Sequence, residues 1–291
     1  MATGASAVFG AGHANGGTPE SERRRQSVLR IYDALTAGGF HVEGRDVLES
    51  IFSPEARHHR SSQPVPDGPA GGRRLYLELQ TRLPGVVATV KRTVADGEFV
   101  AVHWHASPDP HDEFSGESWC EFFRFVGDRV VEHWQLDAAV PSTTVSGRSV
   151  FSDAYQDTRG RASGGAATTT INREIASAAF ARFTMFDTTV VADYWGEVYL
   201  QHNEMIPDGT DALRRSLEEV GGLPDEVRPS FAVVVTLAES DLVWFLESVR
   251  VGRRTGLGVD IFRVVDRRIV EHWDIPALKP GADDHGQRSV S

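Results

Sequence analysis

Phe122-Phe-Arg-Phe-Val-Gly-Asp-Arg-Val-Val-Glu-His-Trp134 aligns without a gap with a second stretch of the same chain, Ile261-Phe-Arg-Val-Val-Asp-Arg-Arg-Ile-Val-Glu-His-Trp273. The shift between the two stretches is 139 positions, from 122 to 261. Two shorter landmarks recur upstream in the same order and at nearly the same shift, Pro66-Asp-Gly68 as Pro207-Asp-Gly209 and Leu83-Pro84 as Leu223-Pro224. Because self-similarity at a fixed period indicates repeated structural units, we interpret the chain as a tandem duplication of one domain.

Each copy begins with apolar residues at helical spacing, over 28–35 in the first copy and 175–186 in the second. After each Leu-Pro pair the pattern changes to the alternation that is typical of strands. Asn172 is a candidate N-cap for the first helix of the second copy. The fold class predicted for each copy is therefore α+β, with N-terminal helices packed on an antiparallel sheet.

The segment between the copies is rich in Ser, Thr, Gly and Ala, a composition that is typical of a flexible linker. The two ends of the chain are expected to be disordered tails. The predicted organisation is a tail over 1–19, domain 1 over 20–141, a linker over 142–167, domain 2 over 168–280 and a tail over 281–291.

The overall composition excludes several classes of function. The chain has 41 acidic and 30 basic residues and a net charge of -11, which disfavours binding to nucleic acid or to an anionic membrane surface. It has one cysteine, Cys120, so it forms no internal disulfide, and it has no apolar run long enough to span a membrane. We expect a soluble, cytoplasmic protein with neither nucleic acid nor membrane as a partner.

The second copy contains three motifs that point to a family: Tyr199-Leu-Gln-His-Asn203, Pro207-Asp-Gly209 and His272-Trp-Asp274. Helices followed by a curved antiparallel sheet with these motifs resemble the SnoaL-like polyketide cyclases of the nuclear-transport-factor-like superfamily. The resemblance covers both copies. It implies cone-shaped α+β barrels, strongly curved sheets that pair into an intramolecular pseudo-dimer in which domain 1 packs on domain 2, and an enzyme without a cofactor.

The resemblance also implies a chemistry and a substrate class. In the family, the Asp of the His-Trp-Asp motif is the acid/base of an intramolecular aldol ring closure, and the substrate is a hydrophobic polyketide-type molecule. Copy one departs from the pattern, because Gln135 replaces this Asp and Arg57-His-His-Arg-Ser-Ser62 replaces the Tyr-Leu-Gln-His-Asn segment. A glutamine amide cannot transfer a proton at neutral pH, so domain 2 is the predicted active domain and domain 1 a degenerate copy.

Three residues are the catalytic candidates. Alternation along a strand places His272 and Asp274 on one face, and a carboxylate among apolar residues there would have the raised pKa of a general base. Asp260 interrupts an apolar strand and matches Glu121 in copy one, so it is the candidate acid/base partner. The alternatives are that Asp274 merely ends its strand and that Asp260 is a solvated edge residue.

The Tyr199–Asn203 segment supplies the substrate-binding candidates. His202 and Asn203 could polarise a substrate carbonyl, whereas Tyr199 and Gln201 would lie on the opposite side of an extended segment. The same segment could also be a polar loop. Trp195 and Trp244 are the two tryptophans that we interpret as pocket walls.

Five histidines of copy one raise the question of a metal. His103 and His105 share a strand face, but the sequence places no third ligand beside them, and a metal site needs three or four. We therefore interpret this group as hydrogen-bonding cavity histidines and predict neither a metal site nor a cofactor. The group comprises His58, His59, His103, His105 and His133.

Fold alone does not assign the reaction. The leading prediction is a cyclase acting on a polyketide-type intermediate, and the nearest enzymatic alternatives are an epoxide hydrolase and an isomerase or dehydratase. The non-enzymatic alternative is a small-molecule binding or scaffold protein that has kept the fold and lost the chemistry.

Overall fold

The computed structural model describes residues 17–38, 40, 44–60, 64–156 and 165–276. The predicted tails, apart from residues 17–19, therefore lie outside the described residues. The chain divides into two compact units, one ending at Ser142 and the other beginning at Thr143. We refer to them as domain 1 and domain 2.

The described residues of each domain form three helices and five strands in the same order along the chain. In domain 1 these are α1 Pro19–Thr36, α2 Gly44–Ile51, β1 Phe52–Arg60, α3 Pro69–Arg82, β2 Val87–Asp96, β3 Phe99–Ser107, β4 Glu117–Val126 and β5 Arg129–Ala139. In domain 2 they are α4 Ala166–Phe183, α5 Val190–Tyr194, β6 Trp195–Gln201, α6 Thr210–Gly221, β7 Ser230–Glu239, β8 Leu242–Val251, β9 Arg254–Val265 and β10 Arg268–Ile275.

The two sheets have the same topology. The strand order is β1-β5-β4-β3-β2 in domain 1 and β6-β10-β9-β8-β7 in domain 2. The sheets are mixed rather than purely antiparallel, because the first strand of each domain pairs in parallel with the last. Within the described residues each sheet has two unpaired edges, so the predicted barrel is not closed, while the α+β fold class in two copies is confirmed.

The first helix of each domain packs an apolar stripe on the sheet. In α1 the stripe includes Val28, Ile31 and Leu35, all fully buried, and the Thr18 hydroxyl caps the helix by accepting a hydrogen bond from the Ser21 N–H at 3.1 Å. In α4 the corresponding stripe is Ile175, Ala176, Ala179 and Phe180. These contacts cover one face of each sheet, which we call the inner face.

Asn172 does not cap α4, because the helix begins earlier, at Ala166. The Asn172 side chain is buried and its amide Nδ2 donates to the backbone carbonyl of Ser240 at 2.9 Å. The residue therefore ties the helix to the β7–β8 turn.

Part of the predicted linker is a contact segment of domain 2. We call residues 149–155 the strap. The backbone N–H of Ala154 donates to Glu271 at 2.7 Å, and the indole N–H of Trp273 donates to the carbonyl of Ser152 at 2.9 Å. Asp153 accepts from the buried Arg263 guanidinium at 2.5 Å. The strap thus lies against the outer face of the sheet, opposite α4.

None of the helices in the described ranges is long and apolar enough to cross a membrane.

Candidate active site

Three carboxyl groups lie on the inner face of the domain 2 sheet. Asp274 of β10 is directly opposite Asp260 of β9, and Asp260 is directly opposite Phe245 of β8. Glu247 lies two residues further along β8 and therefore on the same face. Three adjacent strands thus bring these acids together over a core that includes Phe245 and Phe262.

His272 connects this acidic group to the edge strand. Its Nε2 lies 2.6 Å from Asp260 Oδ1, and its Nδ1 lies 2.8 Å from Gln201 Oε1. Both partners are acceptors, so both ring nitrogens donate and the ring is protonated. Burial alone would lower the pKa of His272, but the hydrogen bond and charge of Asp260, with the charge of Asp274, raise it above its usual value.

Asp274 is held by the residue that follows the edge strand. The Asn203 amide Nδ2 donates to Asp274 Oδ2 at 2.7 Å. Burial raises the pKa of Asp274 above its usual value; His272 and Asn203 oppose this rise, and the charge of Asp260 adds to it. A carboxylate with a raised pKa is a stronger base, which suits it to remove a proton from carbon.

Glu247 is a site residue that the sequence analysis missed. Its side chain is buried, and burial, followed by the charge of Asp260 and a hydrogen bond with it, raises the pKa of Glu247 to about 10. At neutral pH this carboxyl is therefore an uncharged acid. The available signal was an acid in an otherwise apolar strand, Leu242-Val-Trp-Phe-Leu-Glu247, which is the argument that singled out Asp260.

The raised pKa of Glu247 predicts how the stability of domain 2 depends on pH. The folded pKa lies above the unfolded value of ~4.3, so the free energy of unfolding is highest below that value and falls as pH rises towards the folded pKa. The slope contributed by one such group is up to ~1.4 kcal/mol per pH unit. Glu247→Gln should remove this contribution, measured between pH 5 and 9 by hydrogen exchange of domain 2 peptides in denaturant.

Glu197→Gln is the matched control, because Glu197 is exposed on β6 of the same domain. It should retain the wild-type slope. Equal slopes for wild type and Glu247→Gln would contradict the assignment of an uncharged Glu247.

The predicted binding residues divide between the two faces of the sheet. Tyr199, Gln201 and Asn203 belong to the site, since the Gln201 amide Nε2 also donates to the Tyr199 hydroxyl at 3.2 Å. His202 lies on the outer face, where its ring is 2.9 Å from Glu271 and stacks on Trp273. His202 and Asn203 therefore do not lie on the same face as predicted, because adjacent residues of an extended segment lie on opposite faces.

The two predicted wall tryptophans also separate. Trp195 lies in the inner core, with its ring centroid 6.2 Å from those of Tyr199 and Phe262. Trp244 is fully buried on the other face, opposite Ile261 of β9. Trp244 therefore does not line the candidate site.

In domain 1 the residue equivalent to Asp260 is Glu121, and its carboxylate is fully hydrogen-bonded. Glu121 is completely buried and accepts four hydrogen bonds from other side chains. The donors are Tyr32 Oη, Tyr76 Oη and Trp104 Nε1, each at 2.8 Å, and His133 Nε2 at 3.0 Å. A carboxylate with four protein donors has little capacity left to bind or act on a ligand.

A second histidine extends this network away from Glu121. His58 Nδ1 lies 3.0 Å from His133 Nδ1, and His58 Nε2 lies 2.8 Å from the carbonyl of Gly68. Each Nε2 donates, so one of the two Nδ1 atoms must also carry a proton. Burial, together with the charge of His133, lowers the pKa of His58 to about 3, and the His133 ring lies against the buried Glu121 carboxylate.

Two large side chains of domain 1 stand at positions where domain 2 has smaller residues. The strand registers place Trp104 where domain 2 has Glu247, and Trp119 where domain 2 has Gly258. The two tryptophan rings pack with centroids 5.0 Å apart. Two large rings therefore fill these positions in the interior of domain 1, whereas domain 2 has no side chain at Gly258.

The remaining histidines do not converge on one centre. His103 lies on the outer face of its sheet, with Nδ1 2.6 Å from Arg92 and Nε2 2.9 Å from the Ser118 hydroxyl. His59 stacks on Trp134, and His105 bonds the carbonyl of Ser115. Of the five, only His58 and His133 belong to the interior network. Among the described residues, no group of three His, Cys, Asp or Glu is placed to hold a metal ion.

A surface depression of about 670 Å³ lies elsewhere, along α3 of domain 1. Its charged lining includes Arg74 and Glu78, which are already paired with each other at 2.8 Å. A binding site normally collects polar groups from several elements, and this depression is lined by one helix. The acidic cluster of domain 2 is the stronger candidate.

Comparison with known proteins gives the family of the first copy. Residues 28–133 match the family model of the SnoaL-like domain. Domain 1 is thus a SnoaL-like domain, which confirms the family resemblance, and domain 2 repeats its strand order. No curated protein matched the sequence.

Several solved structures resemble part of the chain. One, assigned as a SnoaL-like polyketide cyclase from Jannaschia sp. CCS1, is 19% identical, covers 43% of this chain and 91% of its own, and has a TM-score of 0.36. IdmH from Streptomyces antibioticus, assigned as a polyketide cyclase, is 21% identical with 39% and 91% coverage and a TM-score of 0.32. A protein from Kribbella flavida assigned as a ketosteroid isomerase is 18% identical with 42% and 92% coverage and a TM-score of 0.33.

Proposed function

We propose that domain 2 is an acid–base catalyst, independent of a cofactor, that closes a ring within a hydrophobic polyketide-type intermediate. One observation carries this proposal: the Asp274 and His272–Asp260 groups share an inner sheet face beside Gly258, while Trp104 and Trp119 close the same region of domain 1. The copy with the acids is the copy that lacks the two tryptophans at these positions.

The proposed reaction is an intramolecular aldol addition. The Asp274 carboxylate takes a proton from a carbon next to a ketone, which gives an enolate. The enolate carbon then forms a bond with a second carbonyl carbon of the same molecule, and the electron pair of that carbonyl moves to its oxygen. Asp274 returns the proton to this oxygen, so the product is an isomer of the substrate and the enzyme is unchanged.

The other site residues support this cycle. Asn203 orients the Asp274 carboxylate through the 2.7 Å hydrogen bond. The protonated His272, paired with Asp260, supplies positive charge near the developing enolate, which is where fixed charge accelerates a reaction most. A site that excludes water and folds the substrate contributes through proximity.

A second candidate function is favoured because Asp260 and Asp274 are directly opposite each other on the neighbouring strands β9 and β10. Two acids that face one water could open an epoxide, with one activating the water and the other protonating the oxygen. The alternative of ligand binding without chemistry predicts affinity for apolar molecules and no conversion.

The test uses 1-tetralone, a neutral bicyclic ketone, as a probe of proton removal from carbon. Incubated in D₂O with the full chain, it should incorporate deuterium next to its carbonyl faster than with buffer alone, measured by NMR. Gly258→Trp copies the domain 1 residue into domain 2 and should abolish this acceleration. Styrene oxide, assayed in parallel for diol formation, reports the epoxide alternative.

Val198→Trp is the control, because Val198 is exposed on β6 and the substitution adds the same side chain outside the site. It should exchange at the wild-type rate. Unchanged exchange in a folded Gly258→Trp variant would place the reaction outside domain 2, and binding without exchange or diol formation would support the non-catalytic alternative.

A further inference from the structure

Glu247 has an oxygen atom whose hydrogen-bonding capacity is unused. The side chain is 4% exposed, and its Oε2 has no hydrogen-bond partner among the described residues. A buried acceptor without a donor is unfavourable and is rare in folded proteins. A ligand that brings a donor to this atom would remove the penalty.

The proton of Glu247 is used in a hydrogen bond with the neighbouring Asp260. Asp260 lies one strand away, accepts from His272 at 2.6 Å, and shares a hydrogen bond with Glu247. The uncharged Glu247 is the only one of these two carboxyls that can donate to the other while Asp260 pairs with the imidazolium. Glu247 therefore offers its second oxygen as an acceptor and not as a donor.

The neighbours of Glu247 on the adjacent strands favour a ligand of a particular kind. Gly258 is directly opposite on β9 and contributes no side chain. On β7 the opposite residue is Val233, which is 49% exposed, and Phe231 lies further along the same face. The wall is apolar, and the nearby carboxyl groups of Asp260 and Asp274 disfavour an anion.

We propose that Glu247 determines the specificity of the domain 2 site by accepting a hydrogen bond from a hydroxyl group of an uncharged, mainly apolar ligand. This inference rests on the proposed function only in placing the ligand in the same pocket. It assigns to the substrate a phenolic or enolic hydroxyl group. This group would lie about two strand spacings, ~10 Å, from the Asp274 backbone.

The test compares two ligands that differ in one hydrogen-bond donor. 2-Naphthol has a hydroxyl, and 2-methoxynaphthalene has the same rings and an oxygen that cannot donate. The full chain should bind 2-naphthol about 10- to 100-fold more tightly, the range expected when a buried acceptor is left without a donor. Equilibrium titration followed by ligand fluorescence measures both dissociation constants.

Two substitutions of Glu247 test the acceptor directly. Glu247→Gln resembles the uncharged acid, because its amide N–H can donate to Asp260 while its carbonyl accepts from the ligand, so the preference should persist. Glu247→Met keeps the volume and removes the acceptor, so the preference should fall to about 2-fold or less. Glu197→Gln, at an exposed position, should behave as wild type.

Equal affinity of the wild-type chain for the two ligands, or loss of the preference in Glu247→Gln, would overturn the inference, and neither result depends on the folding of Glu247→Met. A preference that persists in a folded Glu247→Met variant would also overturn it. Asp274→Asn should keep the preference for 2-naphthol, since that residue is assigned to proton removal. Failure of the proposed function would instead appear as unchanged deuterium exchange in Asp274→Asn, whatever the ligand preference.

Discussion

Asp274→Asn is expected to lower the rate of deuterium incorporation into 1-tetralone by about 10²–10⁴-fold, the usual contribution of a general base. The amide has the shape of the carboxyl and can still meet Asn203, but it cannot accept a proton from carbon. The fold and the affinity for 2-naphthol should remain close to those of the wild type. The measurement is exchange per active site, by NMR, at saturating ketone.

The pH dependence of the wild-type rate gives a second signature of Asp274. Because only the carboxylate is a base and burial raises its pKa, the rate should increase with pH through a step that lies above the usual aspartate value of ~3.9. Asp211→Asn is the matched control, since Asp211 is 79% exposed on α6, and it should keep both the rate and the step. A folded Asp274→Asn variant with a near-normal rate would rule out Asp274 as the proton carrier.

Glu121→Ala is expected to destabilise domain 1 by at least about 3–5 kcal/mol, which is a large part of the stability of a typical domain. The substitution removes the acceptor of four buried donors, which are two tyrosine hydroxyls, the Trp104 indole and the His133 ring. Each unsatisfied group adds a desolvation penalty. Hydrogen exchange of domain 1 peptides, measured in the full chain, should show the loss.

Two further variants test whether the buried network causes this loss of stability. Glu121→Gln keeps one acceptor oxygen and should lose less stability. Glu78→Ala removes a carboxylate that is 36% exposed and paired with Arg60 and Arg74, and a surface pair of this kind contributes only about 0–1 kcal/mol. If Glu121→Ala were as mild as Glu78→Ala, the interior network would not be what holds domain 1 together.

The organisation of the chain could be predicted from the sequence because the repeat is explicit. The Val-Glu-His-Trp endings become the last strands, β5 and β10, and both occupy the same place in their sheets. Strand alternation alone put His272 and Asp274 on one face, as the structure has them. These features depend on local pattern, which a single sequence contains.

The composition of the site depended on information that local pattern lacks. Alternation showed that Gln201 and His202 face opposite ways, but the face that each occupies is decided by pairing with β10, where His272 bonds Gln201 and Glu271 bonds His202. The parallel pairing of β6 with β10 joins residues about 70 positions apart and has no local signal.

Equivalent residues of the two copies could also not be matched fully without the strand register. The sequence alignment of the last hairpins showed Gln135 against Asp274, but the earlier strands align only loosely. The strand pairing was needed to set Trp104 against Glu247 and Trp119 against Gly258. The difference in side-chain size between the two interiors at these positions follows from these two pairs rather than from Gln135.

The strap also sets a limit on how domain 2 can be separated from the rest of the chain. A version that began at α4 would retain the whole repeat but would remove the Asp153 carboxylate from the buried Arg263 and the Ser152 carbonyl from the Trp273 indole. Glu271 would also lose the Ala154 N–H, and Glu271 and Trp273 flank His272 on the strand that carries the proposed base. The smallest excised unit that preserves the catalytic strand therefore starts no later than Ser149, outside the boundary that the duplication itself suggests.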